Sequence, residues 1–155
     1  FLRESGNIGI GTTTPNYKLE VNGMAGMDGR VGTFASGTVK ANGEWQTIVD
    51  RLEDISAFEV VAQAGAREGR GRYAFTHAHC FSNFGSGRIE QTRTTYRKAP
   101  WHRIFDRISF RWIEGEDGYQ LQVRTFQNYG YLDDNDDKPA LIRYYVSKLW
   151  DHSMI

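Results

Sequence analysis

In residues 72–81 every second side chain is large: Tyr73, Phe75, His77, His79 and Phe81 alternate with Ala74, Thr76, Ala78 and Cys80. A period of two belongs to a strand, because successive side chains leave a pleated backbone on opposite faces. The rhythm returns in 107–113, where Ile108, Phe110 and Trp112 share one face and Ser109 and Arg111 the other. Residues 119–126 set Tyr119, Leu121 and Val123 against Gln120, Gln122 and Arg124, and 141–150 form a long run rich in aromatic and β-branched residues. Residues 57–64 are apolar on both sides, as a strand covered on both faces would be. Turn-forming residues separate these runs at 69–71, 83–87, 115–118 and 133–139. The spacing predicts an all-β domain, a β-sandwich or jelly-roll-like fold. Only 47–55 reads as a helix, with Ile48, Leu52 and Ile55 on one face, so at most one short helix is expected.

Glycine divides the chain. Nine of the 17 glycines fall at or before Gly43, whereas all four tryptophans and seven of the eight tyrosines lie from Trp45 onward. A thin segment at 1–30 followed by an aromatic-rich globule at 31–155 is the expected organisation. Lys and Arg number 19 against 19 Asp and Glu. That balance argues against an electrostatically driven nucleic-acid binder. No run approaches the roughly 18 apolar residues of a membrane span, so neither nucleic acid nor membrane insertion is expected. Cys80 is the one cysteine and has no disulfide partner within the chain. The chain starts at Phe1 and its first methionine is Met24, which reads as a piece of a longer protein.

In the thin segment, Tyr17, Leu19 and Val21 alternate with Lys18 and Glu20, a half-buried strand, and Asn22-Gly23 reads as a turn. Two short strands do not stand alone in water. Their apolar residues need a partner surface, and the same segment on another copy is the cheapest. Gly9-Ile10-Gly11-Thr12-Thr13, Pro15 and Lys18-Leu19-Glu20-Val21-Asn22-Gly23 together resemble the GIGT-P-KLxVxG unit of phage tail fibres and of fibre-like bacterial proteins. The resemblance implies a homotrimeric shaft ahead of a terminal domain, displayed extracellularly or on a virion or injection-particle surface. Many such fibres end in a helical self-cleaving chaperone domain, which the strand-like C-terminus here does not match. Trp45, residues 65–73 and Leu149-Trp150 are also similar to terminal domains of bacterial adhesins. The function implied is recognition of a cell-surface ligand, carbohydrate first among them.

Candidate site residues follow from chemistry. A ring with a polar handle on a loop offers a sugar an apolar face and a donor at its edge. Trp101 and His102 beside Pro100, and Tyr129 and Tyr131 around Gly130, meet that description. Arg97 and Arg103 belong to a basic stretch, 88–111, suited to anionic glycans. An acidic stretch at 114–137 makes mutual pairing of the two segments, within a subunit or across an oligomer interface, the competing, favoured expectation. His77 and His79 share a strand face, and on a threefold axis three such pairs would present six nitrogens to one transition metal. Cys80 points the other way and reads as a small buried hydrophobe. The 133–137 run has calcium-type oxygen ligands without the glycine and closing glutamate of an EF-hand, and a solvated turn is the simpler reading. No resident cofactor is expected. Neither G-x-S-x-G, H-E-x-x-H nor a phosphate loop is present, so an enzyme is not expected. A glycan hydrolase using carboxylates such as Glu114, Glu116, Asp133 and Asp134, or a purely structural trimer cap, are the alternatives.

Overall fold

The computed structural model describes residues 6–23, 34–65, 72–97, 105–132 and 138–151. Two compact units follow one another along the chain, Phe1–Val31 and Gly32–Ile155. In the first, β1 (Ile8–Ile10) pairs in parallel with β2 (Leu19–Val21), Ile8 opposite Leu19 and Ile10 opposite Val21. The loop between them is tied internally. Asn7 Nδ2 donates to the Pro15 carbonyl (3.1 Å), and the Asn16 amide donates to Glu20 Oε2 (2.6 Å). Glycine is required twice: a Cβ on Gly9 would meet the Thr12 carbonyl oxygen at 2.4 Å, and one on Gly11 (φ +75°) would meet that of Asn22 at 2.6 Å. So short a pair buries little, and Ile8, Ile10, Tyr17 and Leu19 stay exposed.

The second unit is all-β among the described residues, with every strand pairing antiparallel. Its larger sheet runs in the order β3 (Ala35–Lys40), β11 (Leu141–Asp151), β5 (Ser56–Gly65), β6 (Arg72–Asn83) and β7 (Ser86–Gln91); β8 (Thr94–Arg97) continues the β7 edge of β6. The smaller sheet is β4 (Gln46–Leu52), β10 (Gly118–Thr125) and β9 (Ile108–Gly115). The two share one core, so the unit is sandwich-like. Phe58, Val60, Ala62, Ala64, Ile142 and Val146 of the larger sheet are buried together with Ile108, Phe110, Leu121 and Val123 of the smaller.

Two tight turns organise the hairpins. Phe84 and Gly85, both at positive φ (50° and 77°), link β6 to β7, as right-twisted two-residue hairpins require. Gly115 and Gly118 face each other across the β9–β10 turn. No helix among the described residues is long and apolar enough to cross a membrane.

The helix expected at 47–55 is instead strand β4. Tyr119 and Leu121 of β10 face Leu52 and Val49, and Gln122 faces Thr47, so β4 twice takes one residue more than its partner. Each extra residue shifts the pleat by one, with Arg51 at φ 56°. Ile48, Val49 and Leu52 can therefore all face inward, and the resulting apolar spacing imitates a helical stripe. Strand β5 also differs from expectation. It is buried on one side, whereas Ala57, Glu59 and Val61 are half-buried and Gln63 is exposed on the other.

Candidate functional site

Strand β6 is where the fold departs most from a simple hydrophobic pattern. Ala74, Thr76, Ala78, Cys80 and Ser82 are its buried residues. Phe75 and Phe81 are each 45% exposed, His79 is exposed, and Tyr73 and His77 are half-buried. The facing layer explains the inversion. Phe110 and Trp112 come from β9, and the Trp112 and Phe58 rings lie 6.4 Å apart. Trp112 also closes on β7, where a Cβ at Gly87 would meet its Nε1 at 2.8 Å. Large side chains from the opposite sheet occupy the space, so β6 contributes small ones, as interdigitating layers require.

Antiparallel register builds the outer face in rows. Gln63 lies opposite Phe75, Val61 opposite His77 and Glu59 opposite His79. On the far side of β5, Arg143 pairs with Gln63, Tyr145 with Val61 and Ser147 with Glu59. At the Tyr73 end the face dips into a cavity of about 270 Å³ lined by Thr38, Gln63, Gly65, Tyr73, Leu132, Leu141 and Arg143. Gly65 gives the Tyr73 ring room: a Cβ there would sit 3.1 Å from its Cδ1.

The two histidines expected as a pair are joined by a residue that sequence reading missed. Glu59 Oε1 accepts a hydrogen bond from His77 Nε2 at 2.9 Å, with both side chains only partly exposed. The His77 and His79 rings meet edge to face, centroids 5.3 Å apart. One ligating atom from each of Glu59, His77 and His79 lies within 4.8 Å of the other two. The available signal was that Glu59 is the one charged residue in 57–64. Cys80 is inward as expected, and burial pushes its thiol from 9.0 up to about 12, so it stays protonated.

Among the other expected site residues, Tyr129 requires correction. It is 4% exposed, and its hydroxyl donates to the Asp106 carbonyl (3.1 Å) while its amide donates to that of Ala41 (2.8 Å). These bonds hold the ring in the core, where no ligand can stack on it. Tyr131 is exposed and lines a cavity of about 320 Å³ with Asn42, Asn128 and Pro139. Arg97 sits in β8 opposite Arg72. Trp101, His102, Arg103 and the 133–137 run lie outside the described residues.

Most of the acids of the expected charge pairing (133–137), and Lys98 and Arg103 of its basic stretch, lie outside the described residues. Among the described residues no ion pair joins 88–111 to 114–137, and Arg88 instead pairs with Glu90 in its own hairpin strand at 3.1 Å. Arg111 and Arg124 each hold a guanidinium 4.4 Å from the Trp45 ring. Arg111 also donates twice to Gln122 Oε1 (2.9 and 2.8 Å), and Gln122 Nε2 donates to the Thr47 hydroxyl (3.1 Å). Glu114 and Glu116 are exposed near the β9–β10 turn, and neither of the two cavities above has a carboxylate among the described residues of its lining. No protein-family model matches this chain, and no curated protein matches it.

Proposed function

We propose that this chain is the tip-proximal part of a fibre-like protein. Its first unit is a trimerising shaft segment, and its second is a non-enzymatic receptor-binding domain that recognises a cell-surface carbohydrate. The observation that carries the reading is the inverted strand β6, which turns its rings to solvent and its small residues to the core. Aromatic faces stack on the apolar face of a sugar ring, and neighbouring amide and guanidinium groups donate to its hydroxyls. Phe75, Gln63, Arg143 and Tyr145 supply those groups in adjacent rows of one sheet. Three copies on one shaft would raise a weak single-site affinity through effective concentration. The trimer reading draws on the exposed Ile8, Ile10 and Leu19 of the first unit, for which two further copies of the segment are the occupants. On this reading the protein works outside the cell or on a virion or injection-particle surface.

The test has two arms. Light scattering behind a sizing column should give the mass of three chains, falling to one when Ile10 or Leu19 is replaced by Asp. A glycan array should give binding that Phe75→Ala and Arg143→Ala each abolish without changing that mass. Unchanged binding in both variants overturns the outer-face assignment. Release of reducing sugar would favour the hydrolase alternative, and a trimer that captures no glycan would favour the structural cap.

A further inference from the structure

We infer that Glu59, His77 and His79 form a divalent transition-metal site complete within one chain, with Zn²⁺ as its fitting occupant. Two imidazoles and one carboxylate are the donor set that Zn²⁺ accepts with a coordination position left open. The three residues sit on neighbouring strands in fixed register, Glu59 directly opposite His79 and His77 two positions along the same face. The strands themselves are held on both sides, β5 by β11 and β6, and β6 by β5, β7 and β8. This is the rigid backing that a preorganised site needs.

The distances are close to what an ion requires. Metal–ligand bonds near 2.0–2.1 Å place tetrahedral ligands about 3.3 Å apart. His77 Nε2 and Glu59 Oε1 are already 2.9 Å apart, and the widest separation in the triad is no more than 4.8 Å. His79 is exposed, so a rotation of its side chain closes the remaining gap without disturbing the core. Phe75 and Phe81 flank the histidines along the same face of β6. Glu90 lies opposite His79 on the β7 side, but its carboxylate is engaged by Arg88. The site takes nothing from a threefold axis. It differs in that respect from a six-nitrogen arrangement shared by three chains, and it does not rest on the receptor reading.

Equilibrium dialysis of the whole chain against ZnCl₂ tests it. The expected result is one saturable Zn²⁺ per chain, not displaced by excess Ca²⁺, because imidazole donors disfavour a hard cation. His79→Ala and Glu59→Gln should each weaken that binding at least about tenfold. His79 is exposed, so its variant should keep the metal-free thermal midpoint of the parent, which separates lost ligation from lost folding. At one fixed Zn²⁺ concentration the midpoint of the parent should rise more than that of either variant. The inference is overturned by no saturable uptake, by uptake unchanged in both variants, by equal competition from Ca²⁺, or by one ion per three chains.

Discussion

Thr92 clasps the backbone of His77. Its amide donates to the His77 carbonyl at 2.9 Å, and its hydroxyl accepts the His77 amide at 3.0 Å. The clasp lies at the seam where β7 ends and β8 begins, so one threonine bridges the ladder on the outer side of β6. The neighbouring Thr76 hydroxyl donates to the Thr92 carbonyl at 2.7 Å and fixes the same turn of chain.

Replacing Thr92 by Val keeps the branched shape and removes the hydroxyl. The expected loss is about 1 kcal/mol, the usual net value of one such hydrogen bond. Urea unfolding reads the loss, and faster hydrogen exchange at the His77 amide locates it. An unchanged exchange rate there would mean that the hydroxyl does not hold the strand.

The two faces of the larger sheet should respond unequally to ring deletion. Phe58 is fully buried, and Phe58→Ala should cost about 3–5 kcal/mol. Phe75 is 45% exposed, and Phe75→Ala should cost under about 1 kcal/mol. Denaturant midpoints for the two variants check the assignment of inside and outside. Comparable losses would place the Phe75 ring in a packed environment.

Cys80 makes stability fall at high pH. Its folded thiol titrates near 12 against an ordinary 9.0, so above pH 9 the folded state holds a proton that the unfolded chain has lost. The contribution is fully present below about pH 9 and is lost at up to about 1.4 kcal/mol per unit as pH rises toward 12. Comparing unfolding midpoints of the parent and Cys80→Ala at pH 8 and pH 10.5 isolates this slope from other groups. The parent should lose more stability than the variant between the two. The native thiol should also resist alkylation at pH 8 until the chain is unfolded.

Trp45 should matter through its two arginines. Trp45→Ala removes the ring beside both guanidiniums and should cost roughly 1–2 kcal/mol, with Trp45→Phe losing less. Thermal unfolding of the two variants would show the order. Equal losses would point to the indole N–H rather than the ring face.

The positions of the long strands were legible because alternation survives wherever a strand runs straight, whereas the shorter β3, β7 and β8 were not read. Strands β6, β9 and β10 lie where their period of two put them, and β11 where its aromatic and β-branched run did. Strand β4 was not legible as a strand, since two bulges scramble its alternation into helix-like spacing. Tyr129 looked like a loop residue beside Gly130, and its burial rests on bonds to Ala41 and Asp106, remote in the chain. Glu59 was passed over because its nearness to His77 and His79 is a consequence of antiparallel register.

By itself, then, the sequence determined that β6 has a large-residue face and a small-residue face. Only tertiary structure decided which face of β6 meets solvent. That choice belongs to the opposing sheet: once Phe110 and Trp112 occupy the layer, only small side chains fit beneath them, and the rings and histidines turn outward.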